Sequence, residues 1–269
     1  MIKNKGRFKK ERYSLEDLLD IMAVLRSPDG CPWDREQTHD SIRQNFIEET
    51  YEVCDAIDQR DKPAICEELG DVLLQVVFHS CMAEESGDFA FGDVVTGICK
   101  KLIHRHPHIF GDVVAETSSE VLQNWDAIKK AEKGQKSYHK AMQDVPRALP
   151  ALIRANKIQQ RAAKSGFDWS DANEAFYKIS EETDELKEAM SRGVQDDIIN
   201  EMGDVLFSAV NVSRLLGIDP EQALERTADR FMARFEIVER LAAERSVDMQ
   251  KAALSELDLL WDEAKREMK

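Results

Sequence analysis

The sequence predicts an all-α protein made of two tandem helical-bundle modules that arose by internal duplication. Three observations carry this expectation. Apolar residues recur three and four positions apart, as at Leu18, Ile21, Met22 and Leu25 and again at Val205, Ala209, Val212 and Leu216, which is the period of a helix face. Alternation of the strand type is hard to find. Two acidic motifs, separated by a constant interval, each occur twice in the chain.

Taken in order, residues 1–12 read as a basic, flexible tail. The apolar stretch after the tail is broken by Glu16, Asp17 and Asp20, which argues against a signal peptide. Residues 13–132 form the first module, in which Phe46-Ile-Glu-Glu-Thr-Tyr-Glu52 is followed by Glu68-Leu-Gly-Asp-Val-Leu-Leu74. Asp61 and Pro63 between these motifs suit a helix start. Residues 133–150 read as a linker, because Lys133 to His139 is polar without apolar periodicity and Pro146 and Pro150 punctuate the remainder of the segment. Residues 151–269 form the second module, where Lys178-Ile-Ser-Glu-Glu-Thr-Asp-Glu185 and Glu201-Met-Gly-Asp-Val-Leu-Phe207 repeat the first pair at the same interval. Gly193 is the natural turn between them, Gly217 suits a helix stop, and Asp219 with Pro220 suits a start. Weaker echoes pair Cys31-Pro-Trp-Asp34 with Gly166-Phe-Asp-Trp169, and Trp125-Asp-x-x-Lys129 with Trp261-Asp-x-x-Lys265.

Composition narrows the function. A formal net charge of −15, without a basic stripe in the folded part, argues against extended nucleic-acid binding. No segment reaches the apolar length needed to span a membrane. The five cysteines (Cys31, Cys54, Cys66, Cys81, Cys99) lack a C-x-x-C pair, which suits a reducing, cytoplasmic setting.

The acidic motifs are the chemical signal. On a helix Glu181 and Glu185 lie nearly above one another, with Glu182 about a quarter-turn away, and Glu201 and Asp204 share a face of the next helix. Gly193 falls midway between Glu185 and Glu201, so a hairpin with arms of roughly 12 Å brings the two level. Glu48, Glu49, Glu52, Glu68 and Asp71 repeat the arrangement about Arg60. So many carboxylates at one level repel unless cations intervene, and an all-oxygen donor set selects magnesium or manganese over zinc or iron. Gly70 and Gly203 cost about 1 kcal/mol each inside helices, which close approach of a backbone or ligand would explain. The competing reading of any one acidic motif is a solvated helix face; duplication argues against it. A di-iron bundle needs E-x-x-H where this chain has E-x-x-D. His104, His106 and His108 read as a hydrogen-bonded helix exit rather than a metal site, and Cys31 as part of a packed corner. A non-enzymatic acidic scaffold or regulatory binding protein is the remaining alternative.

At these residues the chain resembles the MazG-type nucleoside triphosphate pyrophosphohydrolases of the all-α pyrophosphatase superfamily. The resemblance rests on Gly30 to Asp34 with Gln37-Thr38, both acidic motif pairs, Arg105-His-Pro-His-Ile-Phe110, Asn156-Lys-Ile-Gln159, Gly166 to Trp169 and Trp261. It implies an intertwined homodimer, nucleoside triphosphate substrates of varied base, and Mg²⁺-dependent release of pyrophosphate. The second module becomes the main catalytic candidate. Glu182, Glu185, Glu201 and Asp204 become the expected metal ligands, and Glu181 the group that orients or deprotonates water. Lys157, Lys164, Arg230, Arg234 and Lys265 become phosphate partners, with Trp169 and Trp261 stacking on base or sugar. Against these roles stand plain packing for the tryptophans and an exposed helix face for the two arginines.

Overall fold

The structure is a computed structural model that describes residues 8–132 and 137–268. Residues 1–7 of the expected tail and 133–136 of the expected linker lie outside the described residues. Among those described there are thirteen helices and no strand. The chain divides into two compact units, Met1–Lys129 and Lys130–Lys269.

The first unit holds α1 (Leu15–Arg26), α2 (Pro32–Glu36), α3 (Arg43–Asp58), α4 (Lys62–Ser86), α5 (Phe91–Arg105), α6 (Pro107–Phe110) and most of α7 (Ser118–Glu132). Ser14 opens α1 with a capping box: its hydroxyl accepts from the Asp17 amide at 3.3 Å, and the Asp17 carboxylate accepts from the Ser14 amide at 3.0 Å. The chain then folds α3 back along α4 through Arg60, which stands at φ 58° although it is not glycine. Asp61 caps α4 by accepting from the Ala64 amide. Apolar faces of α1 and α4 meet in a core of Met22, Val77, Phe78 and Met82, joined by Ile42 at the start of α3. Arg26, reaching from the end of α1, donates through Nε and Nη2 to Glu85 on α4, both at 2.7 Å.

The second unit holds α8 (Tyr138–Gln143), α9 (Ala151–Ala163), α10 (Ala172–Arg192), α11 (Gln195–Leu215), α12 (Pro220–Glu244) and α13 (Leu254–Glu267). The segment expected as a linker therefore contributes a helix. Ser137 caps α8, and Arg161 of α9 donates to the Ala141 carbonyl at 3.0 Å, tying the two together. Gly193 ends α10 in the left-handed region at φ 72°, so α10 and α11 form a hairpin with equal arms about it. Gly217 at φ 70° ends the next helix region, and Asp219 accepts from the Glu221 and Gln222 amides to start α12. A second core, Val238, Leu241, Ala242, Leu260 and Ala264, joins α12 to α13.

The close approach expected at the mid-helix glycines is not made by this chain. A Cβ built on Gly70 or Gly203 meets nothing within 4 Å. Both lie on outward faces, and Gly203 is flanked by exposed Met202, Leu206 and Phe207. No helix among the described residues is long and apolar enough to cross a membrane. All five cysteines are free.

Candidate metal centre

The α10–α11 hairpin brings Glu182, Glu201 and Asp204 together. Each offers a carboxylate oxygen within 4.8 Å of the other two. Glu182 is 7% exposed, so its charge sits where water screens it poorly. Lys178, one turn earlier on α10, supplies a counter-charge: its Nζ lies 2.8 Å from Glu182 Oε1 and 3.0 Å from Glu181 Oε1. The two carboxylates hold the Lys178 ammonium well above the usual lysine range. Glu185 stands at the edge of the group. Partial desolvation and then the Glu182 and Glu201 charges push its carboxyl up, against the opposing effect of Lys178. Glu181 turns outward, with its side chain 57% exposed.

The α3–α4 hairpin repeats the arrangement with Glu49, Glu68 and Asp71, again within 4.8 Å. Gln75, buried to 6% exposure, donates its Nε2 to Glu49 Oε1 at 3.4 Å. Desolvation and the charges of Asp71 and Glu52 raise Glu49; desolvation, Glu52, Asp71 and Glu67 raise Glu68. Glu52 thus occupies the edge, as Glu185 does. Glu48 points outward and accepts from Gln44 at 3.4 Å. In each unit, then, three of the five expected carboxylates converge, the fourth flanks them and the fifth stands aside.

Other expected site residues gather elsewhere. Arg230, Arg234 and Lys265 line a cavity of about 510 Å³ between α12 and α13, together with Asp262, Arg266 and Met268. Phe231 packs on Trp261 at 4.9 Å between ring centroids, and the Arg234 guanidinium lies 5.9 Å from that indole. Lys265 is held by Asp262 at 2.6 Å. None of the clustered carboxylates lines this cavity, nor do Lys157, Lys164 or Trp169. Lys157 is exposed on α9, Lys164 caps its end, and Trp169 is 43% exposed before α10. The two tryptophans differ accordingly: Trp261 is partly buried against the α12–α13 core, and Trp169 is the more exposed.

His106 Nδ1 lies 2.6 Å from the Leu102 carbonyl and its ring packs on His108, which is the hydrogen-bonded helix exit. Among the described residues, the two acidic triads are the groups where three or more potential ligands meet.

Sequence reasoning passed over four side chains at these sites. Lys178 had a legible signal, since a lysine three and four residues before two glutamates is spaced for ion pairs on one helix face. Arg266 follows Lys265 directly. Gln75 had no local signal, because its importance comes from burial. His79 likewise meets His39 across the fold, Nδ1 to Nδ1 at 2.7 Å, and thereby fastens the loop before α3 to α4. Burial and then the His39 charge lower the His79 imidazole below its ordinary range.

Hard oxygen donors converging on a partly buried point fit a small divalent cation. The same segments carry the comparisons with known proteins. The MazG nucleotide pyrophosphohydrolase domain matches residues 37–110 and 172–238, which contain both triads. A nucleoside triphosphate pyrophosphohydrolase of Escherichia coli K12 is 46% identical over 256 residues, covering 94% of this chain and 97% of that protein. The nucleoside triphosphate pyrophosphohydrolase/pyrophosphatase MazG of Thermotoga maritima is 44% identical over 250 residues, covering 93% and 95%. A nucleoside triphosphate pyrophosphohydrolase of Mycobacterium tuberculosis is 40% identical over 154 residues, covering 56% and 46%. With two matched segments, each folded as a helical hairpin around an acidic triad, the chain belongs to the MazG nucleotide pyrophosphohydrolase family.

Proposed function

We propose that this chain hydrolyses nucleoside triphosphates to the monophosphate and pyrophosphate, with Mg²⁺ as the natural cofactor and Mn²⁺ as a working substitute. The observation that carries the reading is the convergence of Glu182, Glu201 and Asp204 within 4.8 Å. These three, with Glu185 at their edge, would hold the metal; when bound, it supplies charge neutralisation for the phosphate oxygens. Glu181, outside the triad and beside it, orients a water and accepts its proton as that water attacks the α-phosphorus. The bond from that phosphorus to the bridging oxygen breaks, and pyrophosphate leaves. Arg230, Arg234 and Lys265 hold the outer phosphates, with Arg266 adding to their field. Lys157 and Lys164 add further positive charge. Trp261 and Trp169 offer ring faces, a mode of contact that tolerates many bases because it ignores the hydrogen-bonding edge.

The cationic cavity and the carboxylates do not line one pocket within a single chain. A homodimer with intertwined bundles resolves this by letting one copy's cations complete another's acidic site. Its support is the apolar surface left open on α11 and α12: Ile199, Met202, Leu206, Phe207, Leu224, Phe231, Met232 and Phe235 are each at least 39% exposed. The bare backbone at Gly203 belongs to the same outward face of α11. Free cysteines suit a reducing, cytoplasmic setting. The deciding experiment incubates the protein with each nucleoside triphosphate and Mg²⁺ and identifies products by chromatography. Monophosphate plus pyrophosphate is expected; diphosphate plus orthophosphate would overturn the reading.

A further inference from the structure

The two acidic triads look alike in sequence and differ in what surrounds them. In the second unit Lys178 already neutralises Glu181 and Glu182 at 3.0 and 2.8 Å. A divalent ion entering there must displace the ammonium or bind beside it. In the first unit the residue three positions before Glu48 is Asn45, which carries no charge. Among the described residues no lysine, arginine or histidine forms an ion pair with Glu49, Glu52, Glu68 or Asp71, whereas Lys178 lies within 3.0 Å of two carboxylates of the second unit. Among the described residues the first hairpin thus gathers Glu49, Glu68 and Asp71 without a paired cation such as Lys178.

A second observation at the same place points to a ligand. Gln75 is 6% exposed and directs its amide at Glu49, yet its Oε1 is buried without a hydrogen-bond partner. A buried carbonyl oxygen left unpaired beside carboxylates is costly and is relieved by a cation. Turning the amide over would offer Oε1 to an ion held by Glu49, Glu68 and Asp71. The corresponding residue of the second unit is Ser208, too short to offer the same donor; a buried orphaned oxygen of that unit, Gln159 Oε1, belongs to an amide that donates to the Phe207 carbonyl at 2.8 Å and not to a triad carboxylate.

We infer that the amino-terminal triad, Glu49, Glu68 and Asp71 with Gln75, is the tighter of two divalent-cation sites, and that Lys178 makes the carboxy-terminal triad the weaker one. This rests on the reading that both triads are cation sites. The order of filling follows from charge: the first site gains by neutralising its own repulsion, while the second exchanges one cation for another. The first unit thereby acquires a role as a resident metal site distinct from turnover in the second.

The test titrates the full-length protein with Mn²⁺ alone and follows free Mn²⁺ by electron paramagnetic resonance. Two classes of site are expected. Glu68→Gln should remove the tighter class and Glu201→Gln the weaker, with helix content checked by circular dichroism. Lys178→Met should tighten the weaker class by about tenfold, whereas Lys187→Met, an equal loss of charge held by Asp184 on the exposed side of α10, should leave it unchanged. Asn45→Lys, which adds an ammonium without removing a ligand, should weaken the tighter class by a similar factor. Loss of the tighter class in Glu201→Gln, or equal responses of Lys178→Met and Lys187→Met, would overturn the inference while leaving cation binding intact. Absence of any bound Mn²⁺ would instead remove the reading beneath it.

Discussion

The Arg214 guanidinium grips the Asp168 carboxylate with both terminal nitrogens: Nη1 donates to Oδ2 at 3.1 Å, and Nη2 donates to Oδ1. Asn211 Oδ1 accepts from the same guanidinium at 3.0 and 2.8 Å, so the fork is held in place from α11. Arg214 is 12% exposed at its side chain and Asp168 28%, which sets the pair apart from ordinary surface bridges. It fastens the loop carrying Trp169 to the end of the hairpin that bears Glu201 and Asp204. Arg214→Ala should destabilise the second unit by about 1–2 kcal/mol and speed amide exchange in residues 164–171. Arg214→Lys should not restore protection, because an ammonium cannot reproduce the planar fork. Unchanged exchange in that loop would refute the role.

Glu182 is the most buried of the expected carboxylates, and its loss should be the most damaging to chemistry. Glu182→Gln keeps the shape and removes the charge; turnover should fall by at least about a hundredfold while the melting temperature holds or rises. Product formation measured at saturating nucleotide and Mg²⁺ decides it. Near-normal turnover would mean that the site lies elsewhere.

The turn of the first hairpin stores backbone strain at Arg60, whose φ of 58° disfavours any residue with a Cβ by roughly 1–2 kcal/mol. Gly193 occupies the matching turn of the second unit. Arg60→Gly should therefore stabilise the first unit by about 0.5–1 kcal/mol after the entropy cost in the unfolded chain is deducted. Chemical denaturation gives the sign directly, and a lower midpoint would contradict the strain argument.

Crowded carboxylates make a pH signature. Glu49, Glu68 and Glu185 are all raised above the ordinary glutamate value when folded. The folded state thus binds more protons than the unfolded chain between the ordinary value of 4.5 and each raised value. Within that window the metal-free protein should grow more stable as pH falls. Below it the lowered groups, such as Glu85 beside Arg26 and Glu263 beside Arg245, lose their contribution and stability declines. Saturating Mg²⁺ should flatten or reverse the upper limb, since the ion favours the ionised forms. Melting temperature recorded against pH with and without Mg²⁺ tests this, and identical profiles would show that the triads do not hold the ion.

Leu206 is 52% exposed on the outward face of α11, beside the exposed Met202 and Phe207. If a second copy covers that face, Leu206→Glu should lower the molar mass seen by light scattering to that of one chain, 30.7 kDa. The helical spectrum should be unchanged. A wild-type protein already monomeric at working concentration would dispose of the dimer.

Much of the local architecture was legible from spacing alone. Equal arms about Gly193 and about Arg60 put Glu185 near Glu201 and Glu52 near Glu68, because helix rise and pitch are fixed and short turns leave little choice. The duplicated motifs likewise identified both hairpins and the family. What spacing could not select was the subset that converges. Glu182, rather than its neighbour Glu181, points inward because the rotation of α10 is set by Ala175, Leu186 and Ala189 packing beneath it.

Sequence by itself determined the helices, their pairing into hairpins and the presence of ten acidic groups in two sets, since each depends on residues a few positions apart. Only the tertiary structure decided that Gln75 is buried with an orphaned oxygen and that His79 meets His39. It likewise decided that the cations of α12 and α13 gather in a cavity lacking the triad carboxylates. Those outcomes depend on which distant surfaces exclude water from one another, and no periodicity within a single helix encodes that.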